Sequence, residues 1–168
     1  EDKGVAGRLD WSPSNAIQLG TSAYYGGADQ DPTGTVHINN VVAEAHGLFK
    51  FQNAELRALY AQSQINGANK ISTLAGANVT VPKTQNGYYV TAAYNLMPVL
   101  GSGKFNALIP FVRYEKLNLQ ASIQSGAYDS SLDTTEITSG LEFKPHSDVV
   151  YKLEYNHKSN AGNTNATQ

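Results

Sequence analysis

The stretch Ile137–Tyr155, ITSGLEFKPHSDVVYKLEY, decides the fold. In its first half Ile137, Ser139, Leu141 and Phe143 point one way, while Thr138, Gly140, Glu142 and Lys144 point the other. In its second half Val149, Tyr151, Leu153 and Tyr155 share a side, opposite Val150, Lys152, Glu154 and Asn156. A period of two is what a strand with one apolar and one polar face produces. Pro145-His146-Ser147-Asp148 between them is turn chemistry, because proline fixes φ and removes a backbone donor. The stretch therefore predicts a β-hairpin with an oily face and a charged face. Which of the two looks into the protein must be read from the rest of the chain.

The same alternation recurs on the N-terminal side. Val5–Trp11, Ala16–Tyr25, Val41–Phe51, Ala54–Gln64, Tyr88–Leu96 and Leu108–Leu119 each set apolar residues against polar ones. With the hairpin, that makes eight strand candidates and no convincing helix. Pro110 lacks a ladder donor, so it belongs near a strand start or at a bulge. The connections alternate in length: short at 12–15, 52–53, 97–104 and 145–148, long at 26–40, 65–86 and 120–135. Residues 157–168 read as a polar tail on a single domain spanning 1–168. Short turns at one end and long loops at the other are the pattern of an antiparallel up-and-down transmembrane β-barrel of the bacterial outer membrane. A sandwich with Greek-key connections has no reason to keep its long loops at one end.

Composition agrees with an all-β chain. The 168 residues include 15 Gly and 10 Tyr but a single Met and a single Trp. Charged residues make up only 15% and the formal net charge is -2, so a nucleic-acid partner is not expected. Without cysteine there is no disulfide framework, thiolate metal site or cysteine nucleophile. No apolar run approaches the roughly 20 residues of a membrane helix.

The charges fall on one side of the alternation. Arg8, Asp10, Glu44, Lys50, Glu55, Arg57, Arg113, Glu115, Glu136, Glu142, Lys144, Lys152 and Glu154 lie on the polar faces, with the two signs near balance. The oily faces mix Val, Leu and rings with small residues such as Ala43, Ala45, Gly47, Ala58 and Ala92. Fluid lipid tolerates small residues, whereas a soluble core calls for larger, interlocking side chains. Trp11, Phe49, Phe51, Phe143 and Tyr151 are expected beside the short turns, and Tyr25, Tyr88 and Tyr155 near the long loops, as two aromatic girdles. The competing arrangement is a soluble β-barrel or sandwich with a solvated charged surface.

Residues 87–158 also resemble a known family. GYYVTAAYNLMPVL, LIPFVRYEKLNLQ and TTEITSGLEFKPHSDVVYKLEYNHKSN are similar, in order and spacing, to the later strands of the phosphate-selective porin O/P family of Gram-negative outer membranes. The resemblance implies a passive channel of about 16 strands, trimeric or monomeric, lying in lipid and lipopolysaccharide. Phosphate-selective members line the pore with an excess of Arg and Lys; the near-balanced charges here do not carry that selectivity over. If the short turns are periplasmic, both ends of the chain lie outside, which leads us to expect a segment of a larger barrel.

Little points to catalysis. His37, His46, His146 and His157 form no helical pair, and no GxSxG, HExxH or P-loop pattern occurs. Gly101-Ser102-Gly103-Lys104 reads as a turn, and Asp29-Gln30-Asp31 as a solvated loop rather than a weak calcium site. Glu44 and His46, two apart on one face, are either a polar lumen pair or, less simply, a metal or acid–base pair. The reading is thus a non-enzymatic porin for small hydrophilic solutes or ions, with no cofactor and no metal. Its candidate pore-lining residues are Arg8, Asp10, Glu44, His46, Lys50, Glu55, Arg57, Arg113, Glu115, Glu142, Lys144, Lys152 and Glu154. The pairs Glu55/Arg57, Arg113/Glu115 and Lys152/Glu154 set a transverse field or neutralise one another. A non-conducting adhesin or anchor is the alternative of another class.

Overall fold

The computed structural model describes residues 3–28, 37–74, 80–101 and 105–162. They form one antiparallel sheet of eight strands in the order of the chain. The strands are β1 (Gly4–Ser14), β2 (Ile17–Gly27), β3 (Asn39–Phe51), β4 (Ala54–Asn66), β5 (Pro82–Tyr94), β6 (Ala107–Ile123), β7 (Asp133–His146) and β8 (Val149–Asn160). Each strand pairs with its sequence neighbours alone, so the sheet is an up-and-down meander; β1 and β8 are free edges and the barrel is not closed.

The hairpin from which the reading began is β7–β8. Its turn is tighter than expected, because β7 continues through Pro145 to His146. The missing donor of Pro145 is absorbed by a register shift between Phe143 and His146. A matching shift between Trp11 and Ser14 surrounds Pro13. Pro110 sits near the start of β6, opposite Leu141. At Gln52-Asn53 the two-residue turn forms as expected, with Gln52 in the left-handed region at φ 53°.

Several strands outrun their apolar runs. β5 begins at Pro82, β6 continues to Ile123 and β7 starts at Asp133, all inside segments expected as loops. β8 extends through His157 to Asn160, so the polar tail begins later than expected. The backbone ladder does not need apolar side chains, and Gln, Asn and Thr continue it above the apolar band. Tyr155, expected near the long loops, sits in mid-strand opposite Ser139. Two short helices lie in the connections: α1 (Ala68–Leu74) and α2 (Met97–Leu100), the latter ended by Gly101 at φ 64°. Residues 102–104, 29–31 and 163–168 lie outside the described residues.

The register settles the faces. A row such as Leu19–Gly47–Ala58–Val90–Tyr114–Ile137–His157 runs along the oily face from β2 to β8. The row His46–Leu59–Tyr89–Glu115–Glu136–Lys158 runs along the other. No large side chain among the described residues is fully buried. The oily face is the exposed one: Phe51 and Leu153 are each 75% exposed, whereas Thr91 and Thr138 on the charged face are 9% and 8%. One cleft on that face is lined by Lys50 of β3 and Lys152 of β8 together. Flat strands about 4.8 Å apart could not bring those residues to one hollow, so the sheet curls around its charged face.

Candidate functional site

All the candidate lumen residues lie on the concave face, held there by strand parity and the register. At the short-turn end Lys50, Glu55, Arg57, Arg113, Glu142, Lys144 and Lys152 surround a cleft of about 340 Å³. Glu55 bonds Arg57 on its own strand and reaches Lys50 across the turn at 3.8 Å. Lys152 meets Glu154 at 2.6 Å, and Lys144 lies 3.9 Å from Glu142.

The expected Arg113/Glu115 pair does not form an ion pair. Arg113 turns instead along its row to donate to Thr91 Oγ1 at 3.1 Å, with its guanidinium 4.9 Å from the centre of the Tyr89 ring. Glu115 faces Glu136 directly across the β6–β7 ladder. Two carboxylates in that position repel. Arg57, Thr91, Arg113 and Thr138 make one row, so two guanidiniums flank a threonine with no carboxylate between them.

A second cluster spans β1 to β3. His46 places Nε2 at 3.2 Å from Asp10 and Nδ1 at 3.1 Å from Glu44, while Arg8 clasps Asp10 through two hydrogen bonds. Asp10 and His46 are two strands apart, on either side of Gly20. Their contact crosses the space a Cβ on Gly20 would fill. The two imidazole nitrogens are directed at separate carboxylates and do not converge on a common point. Among the described residues no group of three or more acidic and histidine side chains is placed to hold a metal.

The concave face is less polar than its charges imply. Val42, Leu59, Ala61 and Leu117 line a hollow of about 290 Å³ above the charged cleft. Phe111 covers Gly140 on the neighbouring strand and carries the Lys152 ammonium 5.0 Å over its ring. Sequence reasoning missed Thr91, Thr138, Tyr89 and Phe111, because their roles come from cross-strand register. It also missed Lys116, which lies on the oily face and pairs with Asp133 at 3.1 Å. The only signal was a lysine at an oily-face position of its strand, near the polar end of that strand.

No protein-family model matches the chain, and no curated protein or solved structure matches it either. The arrangement itself offers fixed opposite charges along a concave wall and no nucleophile–base constellation in the charged clusters described above. Chemically it can attract and orient hydrated ions.

Proposed function

We propose that this chain is a wall of an outer-membrane diffusion channel for small hydrophilic solutes or ions. The observation that carries the reading is the inversion of the faces: the apolar face is convex and exposed, and the charged face is concave. In water such a sheet would leave Val5, Leu9, Trp11, Phe51, Val112, Tyr151 and Leu153 uncovered. A soluble barrel turns its oily face in; a membrane barrel turns it to lipid and keeps a polar lumen. Strands of 11 to 17 residues are long enough for a tilted crossing, which takes about 9–11. Long connections at 28–38, 67–81 and 124–132 share one end of the meander, as outer-membrane barrels keep theirs. The motif resemblance over 87–158 points the same way, towards a barrel of about 16 strands in the outer membrane. The free edges of β1 and β8 agree with a larger closed structure, because unpaired strand edges are not tolerated in hydrocarbon.

The test is incorporation of the detergent-refolded chain into planar lipid bilayers. Discrete ohmic steps are expected. Stable insertion without conductance would favour an anchor or adhesin, and a monodisperse chain in detergent-free buffer would sink the membrane reading.

A further inference from the structure

The two charges of β6 that do not pair with each other lie beside the apolar hollow of the concave face. Val42, Leu59, Ala61, Tyr89 and Leu117 wall that hollow of about 290 Å³, and Glu115 borders it. Its floor is the row Ala61–Gly87–Leu117. Leu117 lies over Gly87, where a Cβ would stand 3.0 Å from Leu117 Cδ1, so the missing side chain gives the hollow its depth. The next row towards the short turns is Leu59–Tyr89–Glu115–Glu136, and the one after it is Arg57–Thr91–Arg113–Thr138.

Glu115 and Glu136 are both half-buried and directly opposed, which is unfavourable without a cation. Glu136 has Lys158 as its neighbour on β8 and accepts from Thr138 Oγ1 at 3.5 Å. Glu115 has Tyr89 on its other side and no ion-pair partner among the described residues. Arg113 spends Nε on Thr91, and its terminal nitrogens meet no carboxylate among the described residues. An uncompensated anion and an uncompensated cation therefore stand two residues apart on one strand, about 7 Å between Cα atoms. A guest carrying only positive charge would be drawn to Glu115 and repelled by Arg113; for a purely anionic guest the signs reverse. A guest with both charges satisfies both groups: the guanidinium fork matches a carboxylate, and an ammonium relieves the facing carboxylates. The hollow lies at the small end of ligand pockets, which run from about 300 to 1,000 Å³, so the apolar part of the guest is small.

We propose that this site takes a free α-amino acid with an apolar side chain. The side chain lies against Leu59, Ala61 and Leu117, the ammonium meets Glu115 with Glu136 behind it, and the carboxylate meets Arg113. The inference rests on the proposed membrane-channel reading and names one solute class for it. Passage through a channel asks for binding weak enough to release the solute, and a half-open hollow with one contact at each charge fits that demand.

Four small molecules test it: L-phenylalanine, 3-phenylpropionate, which lacks the ammonium, phenethylamine, which lacks the carboxylate, and glycine, which lacks the side chain. Each is titrated against the detergent-refolded chain by saturation-transfer NMR. Phenylalanine is expected to bind saturably, about tenfold or more tighter than each of the other three, the usual weight of a hydrogen bond to a charged group. Glu115→Gln should weaken phenylalanine about tenfold and bring it level with 3-phenylpropionate, and Arg113→Gln should bring it level with phenethylamine. A variant that merely misfolds loses every ligand alike, and the comparison on the unaltered chain decides the matter without variants. The proposal is overturned if phenylalanine shows no saturable binding, or if any of the other three equals it on the unaltered chain. Conduction is read separately in planar bilayers. Ohmic steps without phenylalanine binding defeat this inference alone, and phenylalanine binding without steps defeats the channel reading alone.

Discussion

At Gly20 an added methyl group would meet the Asp10 carboxylate and the His46 ring on the concave face. Asp10 and His46 reach each other across it, and any side chain there pushes them apart. Gly20→Ala is expected to lower stability by about 1 kcal/mol, the low end of the usual cost of overpacking, because the atoms it meets are side-chain ends that can move aside, read from denaturant unfolding in detergent. Gln52 offers the opposite change. A non-glycine residue in the left-handed region is strained by roughly 1–2 kcal/mol, so Gln52→Gly should raise stability, partly offset by the added freedom of the unfolded chain. Asp129 lies outside the strands and caps the short 3-10 turn Ser130–Leu132 by accepting from Ser131 N–H at 2.9 Å. Hydrogen bonding to Ser131 holds its carboxyl below the usual range. A folded-state value below the unfolded one stabilises the cap at neutral pH, and the benefit is lost as pH falls through the carboxylate range. The protection of the Ser131 amide, its exchange relative to the intrinsic rate at each pH, should therefore fall on acidification, and Asp129→Ala should lower it at neutral pH and remove that loss of protection with pH. None of these residues was legible in the sequence beyond the Gln52-Asn53 turn. A glycine's vacancy and an aspartate's cap are defined by neighbours that only the register supplies.

Strands, by contrast, were largely legible. Alternation located all eight of them and sorted their residues into two faces, because two faces of unlike polarity impose a period of two on the sequence. Their ends were not legible where Gln, Asn and Thr extend the ladder in β5, β6 and β7, since hydrogen bonds between backbones leave no hydrophobic signature. The charge pairs were half legible: Glu55–Arg57 and Lys152–Glu154 form, whereas Arg113 prefers Thr91 and the Tyr89 ring. One substitution tests the assignment of the faces. Val112 lies in the middle of β6 on the convex side and is 48% exposed. Val112→Arg should cost about 2–4 kcal/mol in bilayers if that side meets lipid, and almost nothing if it meets water. Reversible unfolding in lipid vesicles separates the two outcomes.

Taken whole, the molecule is a curled sheet with its charges gathered inside the curve. In the charged cleft Arg57 and Arg113 flank Thr91 without an intervening carboxylate. Arg113→Glu should move the reversal potential under a salt gradient towards cation preference, with fold and insertion unchanged. An unmoved potential would remove this cleft from the conduction path. The ion pairs have a further consequence. Arg8–Asp10, Glu44–His46, Glu55–Arg57, Glu142–Lys144 and Lys152–Glu154 each join residues two apart on one strand. Each of these pairs is satisfied within its own strand, and every strand pairs its backbone only with its neighbours in the chain. A hairpin can then be duplicated or lost in evolution without rethreading the sheet or breaking these pairs in the strands that remain. Barrel circumference becomes a quantity that can change two strands at a time, with the chemistry of the remaining wall left intact.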